Sequence, residues 1–166
     1  MGSSRTRANV ARDFIIGAIA LSAVIATSVL GQIATFPNLR PWYSGLAKPA
    51  FNPPNWIFGP VWTALYALMA FASWRILRLP SSGARIRALS LYAAMLLLNA
   101  AWSWMFFAAH SPGLGLANIL LQLALILATL GAFRRLDLLA GWALLPLAVW
   151  VAFASVLNLA IWRLNG

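Results

Sequence analysis

Five apolar runs, each close to 20 residues, follow one another along this chain, separated by short polar breaks and one longer proline-rich interval. A hydrocarbon core about 30 Å thick is crossed by about 20 helical residues at about 1.5 Å rise each. The pattern therefore predicts an all-α membrane protein, a bundle of five transmembrane helices forming one domain over residues 1–166. The helices are expected at about 14–36, 56–77, 89–109, 114–133 and 139–163, with a proline-rich loop over 37–55. Charged residues make up 8% of the chain, against roughly 25% in soluble domains, which leaves little for a water-soluble domain.

The first run follows Arg5, Arg7 and Arg12, as a signal peptide or signal anchor would. At about 20 residues it is longer than a typical signal h-region, so it reads as a retained helix. The start Met1-Gly2-Ser3-Ser4-Arg5-Thr6 formally fits a myristoylation pattern and is read as coincidence or an expression remnant. A formal charge of +10 raises nucleic acid as a partner, but the basic residues sit in short segments between apolar runs, as topology signals do, so no nucleic acid is expected. Arg5, Arg7, Arg12, Arg75, Arg78, Arg85, Arg87, Arg134 and Arg135 fall on one side, and Arg40, Lys48 and Arg163 on the other. That bias predicts a cytoplasmic N-terminus in a bacterial membrane, with the proline-rich loop and Gly166 outside.

Six of the nine prolines lie between Pro37 and Pro60, and Pro53-Pro54 excludes a regular helix there. A long, stiff loop is expected, with Trp42, Tyr43, Phe51 and Trp56 at the interface or folded down as a lid. Pro60 is expected in the first turns of the second helix, where its missing N–H costs little. In the first helix Ala18, Ser22 and Ala26 form a small stripe, either a dimer face or a packing surface within the chain.

The only acids, Asp13 and Asp137, lie near helix ends, which disfavours transport coupled through an intramembrane carboxylate. There is no cysteine, no Walker-type loop and no Ser-His-Asp set, and no metal site is expected. His110, at a helix end before Ser111-Pro112, reads as a capping or interface residue rather than an axial ligand. What stands out is nine tryptophans, some aligned with amides at helical spacing. Asn99, Trp102 and Phe106 share one face, Pro146, Trp150, Ala154 and Asn158 form an i+4 stripe, and Trp62 and Tyr66 lie one turn apart. Amides in hydrocarbon turn inward, so Asn99 and Asn158 mark the interior, either as helix glue or as part of a site. Trp42, Trp56, Trp74, Trp142 and Trp162 fall near the expected boundaries as belt residues, whereas Trp62, Trp102 and Trp150 are deeper and are candidates to line a cavity. Such a cavity suits a large, flat, apolar ligand such as a porphyrin or a sterol. Arg40 and Lys48 are then either partners for its acidic groups or solvated topology charges.

The stretch Trp42-Tyr43-Ser44-Gly45-Leu46-Ala47-Lys48-Pro49-Ala50-Phe51-Asn52-Pro53-Pro54, followed by Phe58, Val61-Trp62-Thr63 and Leu65-Tyr66, resembles the first loop and second helix of the TspO/translocator protein (tryptophan-rich sensory protein, peripheral-type benzodiazepine receptor) family. Leu98-Asn99, Trp102, Phe106-Phe107, Pro146, Trp150, Phe153-Ala154 and Leu157-Asn158 extend the resemblance over nearly the whole chain. It departs at Pro146-Leu147, where the family commonly has Pro-Tyr, and the end of the last helix lacks the Tyr of the proposed cholesterol pattern. The resemblance implies a five-helix bundle, often a homodimer, that binds porphyrin or haem, sterols and benzodiazepine-type ligands in a pocket closed by the first loop, with no required cofactor. By motif, the ligand-binding positions are Trp42, Trp62, Tyr66, Asn99, Trp102, Phe106, Trp150 and Ala154. The first functional reading is a tetrapyrrole-binding sensory/translocator protein, with movement of the ligand across or within the membrane left open. The alternatives are a light-dependent porphyrin-degrading enzyme using Trp62 and Trp150, and a transporter of porphyrins or sterols.

Overall fold

The computed structural model describes the backbone of residues 2–166 and the side chains of residues 9–166, so the myristoylation pattern and the side chains of Arg5 and Arg7 lie outside the described residues. The chain is 87% helical, and five of its helical stretches are long and apolar enough to cross a membrane. The helices are α1 (Gly2–Thr35), α2 (Asn55–Arg78), α3 (Gly83–Ser103), α4 (Pro112–Leu136), the short α5 (Leu138–Trp142) and α6 (Leu145–Asn165). Together α5 and α6 make the fifth span.

Local chemistry sets these ends. The Ser82 hydroxyl accepts from the Arg85 amide at the start of α3, and Ser111 accepts from the Leu114 amide at the start of α4, where Pro112 fills a first-turn position that needs no donor. Asp137 accepts from the Ala140 amide and starts α5 directly after α4. That turn is tight enough to require a glycine: a Cβ on Gly141 would lie 2.7 Å from the Arg134 backbone nitrogen. Pro146 then restarts the helix as α6, so the expected single helix over 139–163 is interrupted after Trp142.

Three further expectations change. The interval after the first helix is not one loop over 37–55. Pro37 sits at the start of a 3-10 turn (Phe36–Asn38), and a wider π turn follows over Leu39–Tyr43, because a proline at the head of a turn gives up no hydrogen bond. The chain bends at Arg40 (φ −135°, ψ 136°), pushed out of the helical region by Pro41, and the longer irregular stretch is residues 46–54. Pro60 lies in the second turn of α2, within the first turns as expected, but past the positions that need no donor. The helix runs through it, and the carbonyl left without an amide is that of the exposed Trp56. Finally, α3 widens into a π turn over Trp104–Ala108 and stops at His110, whose φ of 50° turns the chain so that the Ser111 amide reaches back to the Met105 carbonyl.

The spans form an open ring: α2 packs on α1, α1 on α3, α3 on α4, and α4 on α6. Near one end α5 meets α2, at the loop end the Phe58 and Trp150 rings touch across the seam, and between them α2 and α6 make few close backbone approaches. Met69, Ile76, Met95, Ile126, Phe133, Leu144, Leu147 and Val151 fill the centre. Because lipid tails are as apolar as these side chains, the bundle is held by close packing and interhelical hydrogen bonds rather than by exclusion of water. The Tyr92 hydroxyl donates to the Met69 carbonyl at 3.0 Å, joining α3 to α2. Leu147, at the departure from Pro-Tyr, is part of this packed centre. Helix α1 turns Ala20, Val24, Thr27 and Ala34 inward, whereas Ala18, Ser22 and Ala26 face outward and take no part in packing within the chain.

Candidate functional site

Most of the residues singled out above gather where α2 faces α6 across α3. On α2, Trp62 and Tyr66 lie one turn apart with ring centroids 5.4 Å apart. The Tyr66 hydroxyl donates to Asn99 Oδ1 on α3 at 2.8 Å, so the spacing of Asn99 with Trp102 does place an amide inside the bundle, joined to α2. One turn on, the Trp102 indole donates to Asn158 Oδ1 on α6 at 3.0 Å, and Asn158 Nδ2 donates to the Pro112 carbonyl at 2.7 Å. Asn158 is therefore helix glue, tying α3, α6 and the start of α4. Gly115 leaves room for this junction, since a Cβ there would approach Asn158 Oδ1 and Phe106 to 3.0 Å.

Trp150 closes the loop end of the same seam, edge-on to Phe58 of α2 at 5.8 Å and tilted against Phe153 at 5.7 Å. Ala154 lies one turn further along α6. Trp62, Tyr66, Trp102, Trp150 and Ala154 are all half-buried against the central cluster. Large rings remain partly uncovered here because the backbones of the two helices that carry most of them stay apart and only side chains meet between them. Asn99 is buried, yet among the described residues only its oxygen is engaged in a side-chain hydrogen bond, which leaves its NH₂ as a donor beside Tyr66.

The other two candidates belong to a second, aromatic cluster under the first loop. Phe106, 2% exposed, stacks on Trp102 at 4.9 Å and meets Trp42 edge-on at 5.6 Å. Phe106 is a packing ring between them. Trp42 lies on the π turn after α1 and stacks at 4.6 Å on His110, whose Nε2 is 2.9 Å from Asn38 Oδ1. His110 thus pins the loop to the end of α3. Lys48 is similarly engaged: its ammonium donates to the carbonyls of Tyr43 and Leu46 at 2.6 and 3.0 Å. Asn165, near the end of α6, clasps both backbone groups of Ala47 at 2.9 Å. Arg40 is exposed on the same side.

Two inward-facing polar residues escaped the sequence reading. Asn118 and Gln122, one turn apart on α4, are 5% and 2% exposed, and both Asn118 amide atoms and Gln122 Nε2 lack a partner among the described residues. The rule that amides in hydrocarbon point inward, applied above to Asn99 and Asn158, holds for this i, i+4 pair as well. Their run of leucines and isoleucines drew attention to length rather than to its polar members.

Comparison with known proteins places the chain in a family. A family model described as the TspO/MBR family matches residues 18–163. The chain is 40% identical over 124 residues to a tryptophan-rich sensory protein of Cereibacter sphaeroides, covering 75% of this chain and 77% of that protein. It is 37% identical over 150 residues to the tryptophan-rich protein TspO of Chlorobaculum tepidum, covering 89% and 94%. It is 39% identical over 127 residues to the translocator protein of Homo sapiens, covering 75% of each. On that similarity, and with five membrane-spanning helices, this integral multi-pass membrane protein belongs to the TspO/MBR family.

Proposed function

We propose that the protein is a tetrapyrrole-binding sensor or translocator, holding porphyrin or haem in a tryptophan-lined cavity at the seam between α2 and α6, covered by the first loop. The observation that carries this reading is the set of half-buried rings, Trp62, Tyr66, Trp102 and Trp150, along a seam where the backbones of α2 and α6 stay apart. A flat macrocycle offers ring faces to such a wall, and the Asn99 NH₂ offers one polar contact. The pinning of the first loop by Asn165, His110 and Lys48 supports its role as a cover. Family membership supports the sensory or translocator class, in keeping with the names its relatives carry.

Protoporphyrin IX titrated into purified protein in the dark is expected to quench tryptophan fluorescence saturably, with no new absorbing species. Absence of saturation would sink the reading. A new chromophore formed only under illumination would instead favour the degradation chemistry of Trp62 and Trp150, and flux into proteoliposomes tests translocation. The surplus of arginine at the α5 end supports a cytoplasmic N-terminus, and a reporter fused at Gly166 is expected on the outer side.

A further inference from the structure

At the end of the bundle away from the aromatic seam, a pocket of about 460 Å³ opens between the start of α1, the end of α2 and the α4–α5 turn. Its polar wall is Arg12, Asp13, Arg75, Arg78 and Asp137, with Asn9 at the rim. The two carboxylates, the only ones on side chains of this protein, are both taken. Arg75 donates through Nε and Nη2 to Asp137, the shortest contact being 2.7 Å, and Arg78 donates through Nε and pairs through Nη2 with Asp13 at 2.9 Å. Each pair uses one edge of a guanidinium and leaves its Nη1 group for another acceptor. Arg12 has no carboxylate, and it is held by donating Nη2 to the Arg78 carbonyl at 3.0 Å. The acids orient two arginines without neutralising the pocket: among the described residues three guanidiniums face two carboxylates, and one positive charge is in excess.

The geometry points to a site for a phosphodiester, supplied by the headgroup of an anionic phospholipid. A phosphodiester carries the single negative charge that balances the excess, and arginine forks suit its oxygens. The lipid source is favoured over free phosphate because the pocket rim runs directly into lipid-facing apolar surface. Next to Asp13, Phe14 is 81% exposed and Ile15 62%, and next to Asp137, Leu138 is also exposed. A headgroup seated on Arg12 therefore has acyl chains beside these side chains. Arg75 and Arg78 are further fixed by lying over Phe71 and Trp74, at 5.7 and 4.5 Å, so the donors are held in place before binding.

The test is native mass spectrometry of the full protein released from nanodiscs containing equal phosphatidylglycerol and phosphatidylcholine, with Arg12→Gln, Arg12→Lys and Arg87→Gln compared. Arg87 is exposed on the same side of the bundle and does not line the pocket. Retained phosphatidylglycerol is expected to exceed phosphatidylcholine, and Arg12→Gln to lower its retention about fivefold, the effect of about 1 kcal/mol per basic residue near a lipid surface. Arg12→Lys should keep most of it, and Arg87→Gln should change little. Equal retention of the two lipids, or equal losses in Arg12→Gln and Arg87→Gln, would overturn the site in favour of diffuse surface charge. Displacement of the lipid by millimolar inorganic phosphate would overturn the lipid source.

Discussion

The two ends of this bundle are built from different chemistry. Under the first loop, stacked rings and amide hydrogen bonds do most of the joining: Trp42 on His110, Phe106 between Trp42 and Trp102, Trp102 on Asn158, and Tyr66 on Asn99. At the α5 end, two ion pairs and arginines lying over aromatic rings join α1, α2 and the α4–α5 turn. Rings can stay half-covered in hydrocarbon at little cost, whereas charges there must be paired or placed at the water interface. The aromatic end can therefore leave a seam between α2 and α6, while the charged end ties α2 to α5 and fixes where that seam stops. The proposed site for an apolar ligand and the clasp that bounds it thus lie at opposite ends.

The strongest way to break this division is to remove the ring at the centre of the aromatic end. Phe106→Ala leaves a hole between Trp102 and Trp42 and is expected to cost about 4 kcal/mol, read as a large fall in melting temperature in detergent. A melting temperature within a degree or two of the parent would show that the loop cluster contributes little to holding the bundle.

The charged end gives the next largest effect, and one that responds to pH. Hydrogen bonds from Arg75 hold the Asp137 carboxyl below the usual carboxylate range, outweighing the upward push of burial, and the Ala140 amide adds to the lowering. A carboxyl whose value is lowered by folding stabilises the fold above the unfolded-chain value, about 3.9, and that contribution is lost as pH falls through the lowered folded value. Asp137→Asn keeps the helix-starting acceptor but leaves Arg75 unpaired, and is expected to cost about 2 kcal/mol at pH 7. Thermal melts from pH 7 down to pH 3 should show the gap between parent and variant closing at the acid end. A gap that stays constant would mean that Asp137 acts only as a cap.

Trp150→Phe sharpens the comparison at the seam. If Trp150 is a wall of the porphyrin site, losing its larger face should weaken protoporphyrin binding about fivefold, or about 1 kcal/mol, with the melting temperature little changed. Unchanged affinity with a lowered melting point would make it a packing residue. Trp162→Phe, at the exposed end of α6, should alter neither measurement.

How far the sequence revealed this structure follows the same division. The five spans were legible because hydrocarbon thickness demands an apolar run of known length, and Asn99 and Asn158 because buried amides need partners. The helical turns after α1 were not, since proline content reads as a break whether each proline heads a turn or interrupts one. Nor was the partnership of Arg75 with Asp137, 62 residues apart, because it depends on which helix ends meet. Phe106 was rightly placed on the face of Asn99 and Trp102, but spacing alone does not separate a ring that lines a seam from one packed behind it.

The smallest expected effect concerns the boundary of the aromatic end itself. His110 stacks on Trp42 and pairs with Asn38 beneath the first loop, and among the described residues no group of three or more His, Cys, Asp or Glu side chains is placed to hold a metal ion. If a tetrapyrrole is held by its ring faces, iron adds little, and haem and metal-free protoporphyrin should bind within about tenfold of each other, or about 1.4 kcal/mol. His110→Ala loosens the loop by losing one stacked pair, an effect of about 1 kcal/mol or less on stability. It should weaken both ligands to the same small degree, leaving their ratio unchanged. A haem affinity a thousandfold above that of protoporphyrin, abolished in His110→Ala, would instead make His110 an axial ligand. Parallel titrations of both ligands against parent and variant decide between a loop pin and an iron ligand, because only the latter changes the ratio.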